Sequence, residues 1–374
     1  MVDRGVDRFD RLEHLLRHAR WPSRLIHDNL MDVRAQVAAN ALAAAALPRL
    51  VAGHPPGALN ACCEALRLES AAAASRAIAA LPFDNAHAEE RLDDGSLLKV
   101  ALSRSPDGQR LVIDFTGSAA QHPRNLNAPA AVTRAAVMYT IRVLVGDRLG
   151  SDGPAFPLNE GLLDPVRIVI PERSILSPDF TGPPEFCPAC AIGQTETSQR
   201  LVDLLWRALA MAACSQGTIN NLLFGNAKFG FYETIAGGAG ATERTSGESG
   251  VHTHISNTRI TDAEVLERRY GVRLERFRVR EGSGGGGERR GGDGLIRRIR
   301  FNEPVELSFL SQHRVEEQYG LAGGHAGARG AQRILRADGT AEELPGIAAA
   351  ALHAGDAIEI ETPGGGGHGA PRTE

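Results

Sequence analysis

Between Leu30 and Leu47 the apolar positions Leu30, Val33, Val37, Ala41 and Ala44 recur at three- and four-residue steps, the spacing of one helix face. Pro48 and then His54-Pro55-Pro56-Gly57 are expected to stop this helix. A second helix is predicted from Ala58 to Leu81, with Leu59, Cys62, Cys63 and Leu66 on one stripe. The two helices read as a hairpin with both cysteines as small core residues. The pattern then shortens to strands. Leu97–Ser103 and Arg110–Phe115 flank the turn Ser105-Pro106-Asp107-Gly108 and predict a β-hairpin. Ala130–Val145 returns to helical spacing, Val166–Ile170 reads as a buried strand, and Pro178–Pro188 as a proline-rich loop. Glu196–Ala213 gives the clearest helical stripe, through Leu201, Leu204, Leu205 and Ala208, with Thr195 as its expected N-cap.

Beyond Gly217 the apolar runs are short and separated by glycine clusters. Strands are predicted near Gly230–Ile235, Leu274–Arg280, Leu295–Phe301, Val305–Leu310 and Ala357–Glu361, with one helix over Asp262–Tyr270. The fold class read from this order is α+β: a helical region over 1–90, a mixed region over 91–216, and a glycine-rich, strand-dominated region over 217–374, together able to form one continuous body.

Composition narrows the function classes. The chain has 374 residues, 43% hydrophobic and 23% charged, with net charge −4, which suits a folded core and no general polyanion surface. Aromatics at 5% argue against a base-stacking platform, so no nucleic-acid partner is expected. Lys99 and Lys228 are the only lysines and neither follows a phosphate-loop pattern, so ATP chemistry would require another subunit. Five cysteines are too few for a disulfide framework here. The N-terminus lacks an apolar leader and no long apolar run is read, so the expectation is a cytoplasmic protein outside the membrane.

Five segments are candidates for chemistry. Gln194-Thr195-Glu196-Thr197-Ser198-Gln199 gathers carboxylate, hydroxyl and amide groups into a helix's first turn, which either receives an anion or is simply capped. His252-Thr253-His254, read as a strand, would project both imidazoles to one face and could chelate a metal; the alternative is two histidines hydrogen-bonded in a polar cleft. Cys187-Pro188-Ala189-Cys190 has dithiol spacing, but its proline-rich setting argues against redox or zinc chemistry. Gly282–Gly294 superficially resembles a phosphate loop, yet it joins two strands, so a crossing of glycine turns is expected. Thr362–Gly369 reads equally as a flexible tail or a loop tucked against a cleft.

In their order and wording the segments resemble the hydantoinase B family, which includes ATP-dependent oxoprolinases and acetone-type carboxylase subunits. The matching pieces include Asp32–Asn40, Asp114-Phe115-Thr116-Gly117-Ser118, Asn125–Pro129, Thr195–Arg200, Ser215–Asn221, Tyr232–Ile235 with Gly237–Gly240, Ser249–Asn257, Arg290–Gly294 and Thr362–Gly367. The resemblance implies the C-terminal part of a B-type subunit that opens a cyclic amide such as a hydantoin or 5-oxoproline, with ATP held by a hydantoinase A-type partner. An acetone- or acetophenone-type carboxylase subunit and a non-catalytic assembly module are the alternatives. Glu196, Thr197, Ser198, His252, His254 and Asn257 are the expected cleft residues, with Glu233 as a carboxylate able to orient water. The family's front-half GGTH-x-PD-like and HH-x-D-like stretches do not occur here. The main ligand region for a divalent metal is therefore expected to be absent from this chain, whether carried on a separate chain, cut off by a misplaced start or lost, with His252 and His254 as weak local candidates.

Overall fold

A computed structural model describes residues 1–19, 22, 23, 25–149, 157–183 and 186–371. Pro184 and Glu185 of the proline-rich loop lie outside the described residues. The chain divides into two compact units. One is Met1–Leu66 with Gly225–Phe231, and the other is Arg67–Phe224 with Tyr232–Glu374.

In the first unit, β1 (Val2–Asp3) and β2 (Val6–Asp7) form a small hairpin before α1 (Phe9–His18) and α2 (Ile26–Ala52). Phe9 is the buried residue of α1, and the Arg34 guanidinium of α2 lies 4.4 Å from its ring centroid. Pro48 does not end α2. Proline removes one N–H bond, and so near the C-terminus the last turn still forms through Ala52. No residue of α2 is buried, and the helix is long and apolar enough, by length and composition, to cross a membrane. That corrects the expectation that no such run exists. One such helix does not by itself show a membrane span. The next helix, α3 (Ala58–Ala79), leaves Cys62 and Cys63 exposed rather than in a core; its buried face is Ser70, Ala73, Ala74, Ala77 and Ile78, in the C-terminal half.

The second unit contains the main core. Strands β3 (Asn85–Arg91), β4 (Leu97–Arg104), β5 (Leu111–Asp114) and β6 (Val166–Val169) form a sheet in that order, antiparallel except for the parallel β5–β6 pair. A parallel pair needs a crossover, and α4 (Ala130–Leu149) lies within it. Alternation buries Leu98, Val100 and Leu102 of β4 with Leu111 and Ile113 of β5 against α3, α4 and α5 (Ser198–Ala208). The same parity turns Ala88 and Glu90 of β3 inward, so a carboxylate enters the core. β3 escaped the sequence reading because its exposed Glu89 and Arg91 and inward Glu90 dilute the apolar alternation.

The remaining strands are β7 (Asn221–Gly225), β8 (Gly230–Glu233), β9 (Val272–Arg280), β10 (Gly294–Phe301), β11 (Val305–Leu310), β12 (Ala331–Leu335), β13 (Ala341–Glu343), β14 (Ile347–Leu352) and β15 (Ala357–Glu361). They make two sheets, ordered β13-β12-β15-β10-β9 and β14-β11-β7-β8. Between β8 and β9, α6 (Ala263–Tyr270) begins at Asp262, whose carboxylate accepts from the Glu264 and Val265 N–H groups, and ends at the left-handed Gly271. The architecture is α+β, as the sequence pattern predicts.

Extended glycine segments link these sheets through backbone hydrogen bonds: Gly365 N–H donates to Gly292 O, and Gly292 N–H to Ala239 O, both at 2.9 Å. A Cβ on Gly365 would lie 1.9 Å from Ala239 O, and one on Gly238 would lie 2.0 Å from Gly292 O. These glycines permit main chains to stack in direct contact. Gly282–Gly294 is thus a backbone crossing, and Gly364–Gly367 are buried within it rather than forming a loose tail.

Candidate functional site

The site is built around α5. Its apolar stripe, Leu201, Leu204 and Leu205, packs into the core, but its polar face is buried as well. Helical spacing places Glu196, Gln199, Arg200 and Asp203 along that polar face. The loop Cys214–Asn221, the Val251–Ser256 segment and the Ser311–Tyr319 loop close over it.

Gly193–Thr197 forms a π-helical turn that runs directly into α5. Glu196 N–H donates to Ile192 O at 2.7 Å and Gly193 N–H to Cys190 O at 3.1 Å. Of the two readings of this segment, the helix start open to an anion is therefore the one not found, since helical bonding continues through it. Thr195 does not cap α5: no side chain caps its start. A Cβ at Gly193 would sit 1.8 Å from Asn127 O, so this turn requires glycine. Thr197 Oγ1 donates to Leu126 O at 2.6 Å and Ser198 Oγ to Gln194 O, so both hydroxyls are spent on the backbone.

Glu196 is fully buried. Oε1 accepts from Asn221 Nδ2 at 2.7 Å and Ile219 N–H at 3.2 Å, whereas Oε2 has no partner among the described residues. Burial raises its pKa to about 7, against the opposing pull of hydrogen bonds from Thr218 and Ile219 and the charge of Arg314. Arg314 lies beside it, donating to Asn220 Oδ1, Gln332 Oε1 and Gln312 O. Burial lowers the Arg314 pKa to about 10, with Asp93 and Glu196 resisting.

One turn along, Arg200 donates to Glu90 Oε1 and to Arg91 O, both at 2.6 Å, with no exposure of its own. Burial raises the Glu90 pKa and Arg200 opposes that rise; because arginine keeps its proton, Glu90 has a permanent countercharge. Asp203 Oδ1 accepts from Ser215 N–H at 3.2 Å and lies 2.9 Å from His254 Nε2; Tyr319 Oη donates to Asp203 O. Cys214 Sγ lies 3.6 Å from His313 Nε2, which is 3.8 Å from Glu90 Oε1. Burial pushes the Cys214 thiol well up and the His313 imidazole well down. His313 Nδ1–H donates to Glu316 O, and Asp93 holds the loop through the N–H groups of Arg314, Val315 and Glu316. Glu90, Cys214 and His313 are the donor set that could hold a metal ion. A cleft of about 200 Å³, lined by Glu89, Glu90, Arg200, Arg207, Glu316 and Tyr319, reaches the Glu90 and Arg200 side of this cluster.

The H-x-H segment differs from its expected geometry. His254 has φ +57, outside strand conformation, so the imidazoles do not share a strand face. His254 points to Asp203 and packs edge-on to Trp206, 4.7 Å between centroids. His252 Nδ1 is 2.8 Å from Ser256 Oγ, and burial lowers its pKa. The pair thus fits the polar-cleft alternative in place of a shared metal. Asn257 is exposed. Glu233 lies elsewhere: Oε1 accepts from Thr261 N–H at 2.8 Å and Oε2 faces the buried Arg297 at 2.9 Å, an ion pair not aligned as a hydrogen bond. Glu90, Asp203, Cys214, His313 and Arg314 escaped the sequence reading. The available signals were the inward parity of Glu90 and the polar Ser311–Arg314 run directly after an apolar strand.

The family model for Hydantoinase B/oxoprolinase matches residues 1–371. The 5-oxoprolinase 1 of Arabidopsis thaliana is 40% identical over 361 residues, covering 93% of this chain and 28% of that protein. The chain thus spans little more than a quarter of that relative. Among solved structures, the ATP-dependent caprolactamase of Pseudomonas jessenii superposes with a TM-score of 0.77 at 19% identity, over 98% of this chain and 65% of that one. A nucleotide-free acetone carboxylase gives 0.78 at 17%, over 98% and 55%. At these identities the likeness to both structures concerns the fold.

Proposed function

The chain belongs to the hydantoinase B/oxoprolinase family, and from that premise we propose that it supplies the ring-opening part of an ATP-dependent cyclic amide hydrolase of the 5-oxoprolinase or hydantoinase type. Glu196 carries this reading: a buried carboxyl with a pKa of about 7 and one unpaired oxygen exchanges a proton readily near neutrality. A hydantoinase A-type partner holds ATP and phosphorylates the ring carbonyl oxygen. Water then adds to the activated carbon and gives its proton to Glu196. The ring C–N bond breaks, the nitrogen takes up that proton, and hydrolysis of the remaining acyl phosphate leaves a carboxylate. His254, oriented by Asp203, is the second polar group facing the reacting ring.

Co-expression with an A-type chain, and with any chain bearing the front-half motifs, tests the reading. The assembly should open 5-oxoproline or a hydantoin with one ADP formed per ring, and Glu196→Gln should lower kcat by about 100-fold or more. Ring opening without ATP, or unaltered turnover in Glu196→Gln, would defeat it. Bicarbonate-dependent carboxylation of a ketone would assign the carboxylase alternative.

A further inference from the structure

The cluster under the cleft leaves buried polar atoms unpaired, the Arg200 Nη1 donor among them. Glu90 Oε2 and Asp203 Oδ2 are buried without a hydrogen-bond partner among the described residues, although the chain has folded donors around both carboxylates. A buried polar atom without a partner is costly to the folded state. His313 Nδ1 donates to Glu316 O, which leaves Nε2 with its lone pair directed at Cys214 and Glu90.

The Cys214 sulfur, an imidazole nitrogen of His313 and a carboxylate oxygen of Glu90 therefore converge beneath the cleft. The ligand atoms of Glu90, Cys214 and His313 lie within 4.8 Å of one another. A Cβ placed on Gly217 would stand 2.4 Å from His313 Nε2 and 3.1 Å from Asp203 Oδ2, so both atoms bound the space that Gly217 leaves open. A tetrahedral zinc with bonds of about 2.0–2.3 Å places its ligand atoms about 3.4–3.6 Å apart. The observed separations are 3.6 Å for sulfur to imidazole nitrogen and 3.8 Å for that nitrogen to the Glu90 oxygen.

We propose that Glu90, Cys214 and His313 form a three-residue binding site for a zinc-class divalent cation, its fourth position left to solvent. Charge favours the same assignment. Glu90 and Asp203 against Arg200 leave one negative charge, and a Cys214 thiolate adds another, which a divalent ion neutralises. Binding breaks the S–H bond and forms a sulfur–metal bond; the proton leaves to solvent by way of the cleft. Thiolate and imidazole select zinc or a similar soft to borderline ion over magnesium or calcium. Arg200 then holds Glu90 from behind, the usual arrangement for a ligating carboxylate. A simple thiol–imidazole hydrogen bond leaves Glu90 Oε2 unsatisfied. The site stands independently of the ring-opening proposal, since its readout is metal and not turnover.

The full chain expressed in zinc-supplemented medium should retain zinc in stoichiometric amount through desalting. Exchange for cobalt(II) should give the near-ultraviolet thiolate-to-metal charge-transfer band. A variant with Cys62→Ser, Cys63→Ser, Cys187→Ser and Cys190→Ser, which leaves Cys214 as its one thiol, should keep the band, and Cys214→Ala should lose it. Absence of the band from the folded four-serine variant, or an equal band in Cys214→Ala, would overturn the site. Should Cys214→Ala not fold, the four-serine variant decides by itself.

Discussion

His254 Nε2 lies 2.9 Å from Asp203 Oδ1, and both side chains are almost completely withdrawn from solvent. A carboxylate only accepts, so Nε2 carries the hydrogen and the ring orientation is fixed from one side. The backbone of His254 sits in the left-handed region at φ +57, a conformation held only where surroundings enforce it. The Asp203 contact and the Trp206 ring supply that enforcement.

Asp203→Ala removes the acceptor for His254 Nε2 and for Ser215 N–H together. Leaving two buried donors unpaired should lower unfolding stability by about 3 kcal/mol or more in urea titration. A change within about 0.5 kcal/mol would mean that the pair is not held as described.

Glu196 links stability to pH. Its folded pKa of about 7 lies above the ordinary 4.5, so between these values the folded chain holds a proton that the unfolded chain releases. The associated stability is complete below pH 4.5 and is lost as pH rises through 7, at up to about 1.4 kcal/mol per pH unit. Denaturation midpoints measured across this window should slope downward for the natural chain, and Glu196→Gln should flatten that component. An unchanged slope would place the carboxyl outside a desolvated setting.

The glycine crossing predicts a contrast between two alanine substitutions. Gly365→Ala would drive a Cβ to 1.9 Å from the Ala239 carbonyl oxygen, within packed main chain that has no side chain to move aside. It should cost more than about 4 kcal/mol or prevent soluble expression. Gly182→Ala meets nothing within 4 Å and should change stability by less than about 0.5 kcal/mol. Thermal melts of the two variants check this directly.

Glu233 is expected to act through Arg297 and Thr261 rather than through substrate. Glu233→Ala strands a buried guanidinium and should cost about 3–5 kcal/mol. Adding Arg297→Met should restore most of that loss, and a double-mutant cycle by chemical denaturation reads the coupling. If Glu233 were instead a reacting group, the double variant would recover stability but not turnover in the assembled complex.

Much of this protein follows from local pattern. Alternation and turn chemistry are enough to mark β4 and β5 around Asp107-Gly108, the 3.6-residue period marks α4 and α5, and Asp262 announces α6. The ordered motifs are enough to place the chain in its family. Tertiary structure decided what a one-dimensional period cannot express. Spacing puts Glu196, Arg200 and Asp203 on one polar face of α5 without showing what that face meets; they are fully buried because three distant loops and the inward parity of Glu90 supply their partners. Pro48 reads as a stop but costs only one bond where it falls, and Cys62 and Cys63 share an apolar stripe that nothing buries. Spacing records which residues share a face; only the packed chain fixes what that face meets, and through it which carboxyls, thiols and imidazoles are withdrawn from water and drawn together.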